Sequence, residues 1–358
     1  MPAKKNQHFV PKLHLKQFCT NNLINSYDMI TKVFRKDIPY ESQCQKAYLY
    51  GNNLAIENAL GPIENHAANI ISTILSSKSI PAKPTAEYNA LLTYVLFQNC
   101  RTLYAREGQQ KLLTHFFQSF VKPQMVARGI SESDLDGVDM VFTAPFNNLL
   151  KQAATAIPLL YDLDCSILIN KSSVDFITSD NPCFVINTYT ANAPGSIGWA
   201  KIGVEIIIPA SPDLLIVWAD PNVYSISDKL ELKSDDTVKS INACIATHCN
   251  QNIYYRNLTD AIVLEIGSKV NETGPSDIYS QDYIAAFSAN KRLSHMLRGT
   301  PKLPSGFTLF PIRSKVTVDR EVRDPYLVYL HKKFVDNVEK GIYKASQWVD
   351  FLDAEIDE

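Results

Sequence analysis

No CxxC pair occurs in this chain, and its seven cysteines, Cys19, Cys44, Cys100, Cys165, Cys183, Cys244 and Cys249, are odd in number and scattered through apolar segments. That pattern gives no support to a thiolate zinc site and fits a reducing cytoplasm. GxGxxG, the Walker A loop, the GxSxG elbow and HExxH are all missing, so the commonest signatures of dinucleotide, P-loop, serine-hydrolase and zinc-protease chemistry are missing with them. Charge of one sign is lacking too: 35 basic against 37 acidic residues leave a net charge of -2, and no global field draws the chain to nucleic acid or anionic lipid. The apolar runs fall short of the ~20 residues a membrane span needs, and the leading lysines are followed by no signal-peptide core. A cytoplasmic protein without a membrane partner is expected.

What is present is a core. With 46% hydrophobic and 20% charged residues over 358 positions, the chain can bury a large apolar interior and predicts two cooperating subdomains. The opening run Gln7-His8-Phe9-Val10-Pro11-Lys12-Leu13-His14-Leu15-Lys16-Gln17-Phe18 predicts a short buried strand that becomes one helical turn at Pro11 and carries His8 inward. Ile24–Val33 reads as a strand pair around a polar turn, and Ile38–Gly51 as loop. Apolar residues at helical spacing over Ile56–Leu75 predict a helix that Gly61-Pro62 kinks or splits. If the helix is continuous, Glu57 and Glu64, two turns apart, share one edge of its buried face. Thr85 caps a long helix running to about Leu113, with Leu91, Tyr94, Val95, Gln98, Arg101 or Thr102, and Ala105 on its inward stripe.

Beyond residue 160 the pattern changes to strands. Cys165–Asn170 and Val174–Thr178 predict a hairpin, followed by a strand at Cys183–Asn187 and a second hairpin of Glu205–Pro209 and Leu214–Ala219. Asp235–Asn250 reads as a helix, Ile253–Tyr255 as a strand, Tyr326–Phe351 as a terminal helix and Asp350–Glu358 as an acidic tail. The expected fold is α+β: a mainly helical N-terminal part (1–160) packed on a C-terminal antiparallel sheet with flanking helices (161–310), then a helical tail (311–358).

Polar residues inside apolar stripes carry the functional reading. Gln98 and Arg101 among Leu and Val are costly to bury without partners, and Glu57 and Glu64 are the nearest candidates. Phe176-Ile177-Thr178-Ser179-Asp180-Asn181-Pro182 sets an acid where a buried strand ends, a place that presents side chains to clefts, although Asp and Asn before proline are also ordinary turn residues. Cys100 reads as core, and Arg106 and Glu107 as a solvated face. No other histidine shows ligand spacing.

Gln7-His8-x-Val10-Pro11-x-x-x-Leu15-x-x-Phe18, Glu57 and Glu64, Gln98-x-x-Arg101, Thr178-Ser179-Asp180-x-Pro182 and Pro209-x-Ser211-Pro212 together resemble the uncharacterised bacterial family designated domain of unknown function 4238, over about Gln7 to Tyr255. The resemblance implies a shared polar site assembled from distant segments, and a setting among mobile-element and phage-defence genes; it implies no named reaction. Two functions are therefore expected in competition. In the first, the chain is a hydrolase, a metal-dependent nuclease or phosphodiesterase with His8, Glu64, Gln98, Arg101 and Asp180 in one cleft. Asp180 and Glu64, with Glu57, would hold Mg²⁺ or Mn²⁺, His8 would activate water, and Arg101 would meet the charge of a nucleic acid or small phosphate-containing ligand. In the second, the chain is a non-catalytic effector or small-ligand sensor whose polar cluster is structural or anion-binding.

Overall fold

A computed structural model describes residues 6–83, 85–190 and 198–272 and scattered positions between 303 and 354. The fold is α+β, as expected. The chain opens on β1 (Asn6–His8), passes Pro11 and makes a helical turn, α1 (Lys12–Lys16). β2 (Leu23–Asp28) and β3 (Phe34–Pro39) then form an antiparallel hairpin. The strand pair expected within Ile24–Val33 is thus one strand and its turn. Asp28 is the reason: its Oδ1 accepts the N–H groups of Ile30 and Thr31, a turn that removes those residues from the ladder. Inside the expected loop Ile38–Gly51, β4 (Gln45–Ala47) forms and pairs with β1.

Helix α2 (Ala55–Ser77) runs through Pro62 without a break and buries Leu60, Ala67, Ile70, Ile71 and Ile74. The carbonyl that proline leaves without its helical donor belongs to Asn58, an exposed residue. Helix α3 (Ala86–Cys100) begins where Thr85 caps it, its side chain accepting from Tyr88 N–H at 3.2 Å. It does not continue to Leu113. The chain breaks at Arg101-Thr102, and α4 (Leu103–Phe116) starts with a cap of its own, Thr102 Oγ1 accepting from Ala105 N–H at 3.2 Å. No glycine or proline marks that break; a buried threonine in extended conformation (φ -82°, ψ 161°) does it by offering its hydroxyl to the new helix. Leu91, Tyr94, Val95, Gln98, Arg101, Thr102 and Ala105 are all buried, as their spacing predicts. Leu92, Leu96 and Asn99 are buried as well, which makes α3 a central helix. The shorter α5 (Lys122–Ala127) and α6 (Pro145–Ala156) complete the helical part.

The strands that follow are β5 (Asp164–Asn170), β6 (Thr178–Ser179), β7 (Phe184–Ile186), β8 (Glu205–Ser211), β9 (Leu214–Ala219) and β10 (Lys229–Leu232). After them come α7 (Asp235–Thr247), β11 (Asn252–Tyr255) and α8 (Asp260–Glu272). They make two sheets where one was expected. The larger has the order β10-β5-β9-β8-β7, antiparallel except for the parallel pair β10–β5. The smaller, β3-β2-β11-β6, draws two strands from each side of residue 160. Val174–Ile177 joins neither. Its backbone bonds go elsewhere: Asn170 Nδ2 donates to Val174 O, Asn242 Nδ2 to Asp175 O, Phe176 N–H to Pro212 O and Ile177 N–H to Asn242 Oδ1. The expected hairpin is therefore replaced by a stretch held by two asparagines. The terminal helix expected at Tyr326–Phe351 and the acidic tail lie largely outside the described residues.

Alternation along β8 and β9 sorts the core. Ile206, Ile208, Ile216 and Trp218 face the cluster containing residues of α2, α3 and α6, while Ile207, Leu215 and Val217 face the cluster containing residues of α7 and α8. The sheet is thus covered on both faces, and its strands read as continuous apolar runs. A third cluster gathers Phe9, Val10, Leu15 and Phe18 of the opening segment with Ile24, Leu103 and Tyr254. No helix among the described residues is long and apolar enough to cross a membrane.

The two threonine caps give a stability comparison. Thr85→Ala removes a cap and an exposed bond to Ala82 O, and is expected to cost ~1 kcal/mol. Thr102→Ala also deprives the buried Asn181 Oδ1 of its 3.0 Å donor, and is expected to cost ~2–3 kcal/mol in urea unfolding. Equal losses for the two variants would contradict the second role of Thr102.

Candidate functional site

Pairing of β1 with β4 ends at His8, so the next carbonyls need donors from elsewhere. They find them on α3. Arg101 Nη2 donates to His8 O at 2.7 Å, Tyr50 Oη donates to the same oxygen at 3.0 Å, and Gln98 Nε2 donates to Phe9 O at 3.0 Å. One turn of α3 therefore reads two consecutive carbonyls of the opening segment. Arg101 Nη1 also pairs with Glu64 of α2 at 2.5 Å. Burial works against the guanidinium's charge, but Tyr50 and Glu64 beside it outweigh that and hold its pKa above the usual value. The continuity of α2 across Pro62 keeps Glu57 and Glu64 on one edge, as expected.

The strand alternation sends Gln7, not the ring of His8, into the interior. Gln7 is fully buried, its Nε2 donating to Gly51 O at 3.1 Å and its Oε1 accepting from Tyr50 N–H at 2.6 Å. The His8 ring is half-buried at the rim, its Nε2–H donating to Glu41 O at 3.0 Å. A carbonyl only accepts, so this bond fixes the tautomer and leaves Nδ1 as the lone-pair nitrogen. Burial lowers the ring's pKa, and Lys12, Glu57 and Arg101 act on it electrostatically. An interior histidine is instead His14, which shows no spacing signal. Its Nε2 lies 2.7 Å from Thr178 Oγ1, and burial pushes its pKa down to about 3.

Asp180 follows β6 at the corner of the smaller sheet. Its carboxylate accepts three consecutive backbone N–H groups, Asn250 at 2.7 Å, Gln251 at 2.8 Å and Asn252 at 2.9 Å, and so closes the turn from α7 into β11. Burial pushes its carboxyl up to about 6 despite those donors. The corner does meet the arginine-bearing helix, but through its neighbours. Thr102 Oγ1 donates to Asn181 Oδ1, Asn181 Nδ2 to His248 O at 2.8 Å, and Asn99 Nδ2 to Cys183 O at 2.9 Å. The structure thus brings His8, Glu64, Gln98 and Arg101 together and turns the Asp180 carboxylate to the 250–252 turn. Among the described residues no group of three or more His, Cys, Asp or Glu side chains is placed to hold a metal ion, so the expected Glu57, Glu64 and Asp180 set is not assembled. Gln7, Asn99, Thr102 and Asn181 were missed as partners. Only the alternation Gln7/Phe9 and the α3 stripe carried a signal for any of them.

The model of a family described as "Protein of unknown function (DUF4238)" matches residues 6–259, and the chain belongs to that family. The matched span takes in the opening segment, α1 to α7, and every strand of both sheets, and ends just before α8. No curated protein and no solved structure matches the chain.

Arg101→Ala removes the donor to His8 O and the partner of Glu64, and is expected to cost ~3 kcal/mol of unfolding free energy in denaturant titrations. Arg101→Lys should recover less than half of that, because an ammonium cannot reproduce the planar fork that spans the carbonyl and the carboxylate. A loss below ~1 kcal/mol for Arg101→Ala would remove the pairing from the account of stability.

Proposed function

We propose that this polar cluster is a clamp that closes the N-terminal segment over the helix–sheet junction, and that the protein works as a non-catalytic effector or small-ligand sensor. One observation carries the reading: Gln7, Gln98, Arg101 and Asp180 all bond the chain's own main-chain groups, Arg101 pairing with Glu64 as well, while Gln98 Oε1 and Arg101 Nε are buried without a partner among the described residues. Side chains meant for a substrate keep donors or acceptors facing the cleft; the bonds these make go chiefly to backbone. A small anion approaching the rim would meet the half-exposed Lys12 and the ring of His8. Seven free thiols suit a cytoplasmic setting.

A second reading keeps the hydrolase, acting on a nucleic acid or another phosphate-containing ligand. What favours it is His8, neutral and tautomerically fixed by Glu41 O with its Nδ1 lone pair available at the rim. That is the preparation a general base requires. Glu57 and Glu64 stand on the neighbouring helix edge, and Mg²⁺ or Mn²⁺ would have to be recruited together with the substrate.

His8→Ala separates the two, because Arg101 and Tyr50 hold the carbonyl of residue 8 and not its ring. The variant is expected to unfold within ~0.5 kcal/mol of the parent. Phosphodiester turnover by the parent, with or without Mg²⁺ or Mn²⁺, that disappears in His8→Ala would overturn the clamp reading in favour of the hydrolase.

A further inference from the structure

The corner where β7 leaves the larger sheet and β8 begins holds a second polar cluster. Glu205, the first residue of β8, pairs with Ile186 of β7 and Ala219 of β9 and is fully buried. The corner is tightly folded. Gly203 adopts φ +75°, and a Cβ there would meet Asn187 Oδ1 and Tyr189 Cβ at 2.8 Å. We propose that Glu205 is a buried proton-binding site: it carries its proton in mildly acidic solution, donates it to Thr188, and on losing it releases the β7–β8 corner.

A count of protons carries the proposal. Thr188 Oγ1 lies 2.6 Å from Glu205 Oε2 and 3.0 Å from Tyr224 Oη, and Tyr224 Oη lies 2.9 Å from Gly203 O. Tyr224 also stands in hydrogen-bond reach of Glu205; a carbonyl only accepts, so with the tyrosine's proton on Gly203 O none is left for the carboxyl. Tyr189 N–H donates to the same Tyr224 oxygen at 3.0 Å and supplies no proton to the remaining contacts. Thr188 has one hydroxyl proton for two contacts. The third proton of the chain is therefore the carboxyl's own, and the order runs from Glu205 through Thr188 and Tyr224 to Gly203 O. The Thr188 N–H bond to Oε2 at 3.2 Å is compatible with either state. Oε1, by contrast, has no partner among the described residues, a position far cheaper for the C=O of a neutral acid than for a carboxylate.

The titratable groups facing Glu205 are Tyr224, from the segment after β9, and Cys244, from α7; burial pushes both up and they are neutral at pH 7. Behind them, Asp220 accepts Gly203 N–H at 2.9 Å, and His248 at the end of α7 donates to Cys244 O and stacks on Phe184. No cation from these elements compensates an ionised Glu205. Burial accordingly pushes its carboxyl up to about 7 from the ordinary 4.5. A folded-state pKa raised in this way contributes stability that is complete below the unfolded value and is lost as pH rises through the folded one. On ionisation Thr188 turns its proton to the carboxylate, and its contact with Tyr224 is left without one.

Thermal unfolding of the full chain and of Glu205→Gln, followed from about pH 5 to about pH 8.5, tests this. Glutamine offers an N–H donor to Thr188 and does not titrate, and all other groups cancel in the difference. The melting temperature of the parent is expected to fall by several degrees relative to the variant across that range, chiefly around pH 7. At about pH 6 the infrared difference between the parent and Glu205→Gln should contain the band of a protonated, buried carboxyl, beyond any that Asp180 gives to both. A melting difference that does not change with pH, or a parent-minus-variant spectrum lacking the band, overturns the proposal. Should Glu205→Gln not fold, Tyr224→Phe frees the Thr188 proton for the carboxylate and should move the parent's pH transition to lower pH; an unmoved transition is equally fatal.

Discussion

The fold depends on one buried guanidinium. Arg101 sits where α3 ends, and from there it reaches back to the main chain of β1 and sideways to Glu64 on α2. Those three elements have no hydrogen-bond ladder in common, and apolar contacts alone would leave the opening segment free to slide. Directional bonds to two consecutive carbonyls fix its position along the helix axis. The helix break falls beside it: Arg101 is the C-cap of α3 and Thr102 the cap of α4, so the side chain that reaches β1 stands at the junction of the two helices.

The two buried carboxyls of the sheets show how local supply of donors decides ionisation. Asp180 receives three backbone N–H groups from one turn, and Glu205 receives one N–H and a hydroxyl whose proton is claimed from both sides. Similar burial thus produces a turn-closing acceptor in one place and a proton donor in the other.

Much of the scaffold was legible in the chain itself. The stripe of α2, the inward positions of α3 and the β8–β9 hairpin follow from periodicity, and the pairing of Arg101 with a helix glutamate follows from the cost of burying a charge. What escaped was decided by side chains competing with the backbone. Asn170 and Asn242 take Val174–Ile177 out of any ladder, Asp28 ends β2, and Thr102 ends one helix to begin another. None of these has a periodic signature. The acid at Asp180 was picked out for its place at a strand end, but nothing local to it indicates that its donors come from a turn seventy residues later. The same holds for His14, whose partner Thr178 is 164 positions away.

The order of the smaller sheet has a consequence for how the chain is made. Asn25 of β2 faces Tyr255 of β11, so the second strand of the protein pairs with the last strand of the matched family span. On a ribosome adding ~5–20 residues per second, β2 and β3 emerge on the order of 10 to 50 seconds before β11 exists to pair with them. During that wait the hairpin exposes Ile24, Tyr27 and Phe34 unless another partner shields them. Synthesis of this protein is thus bound to a late closing step, in which the chain's beginning is captured by a strand made more than two hundred residues later.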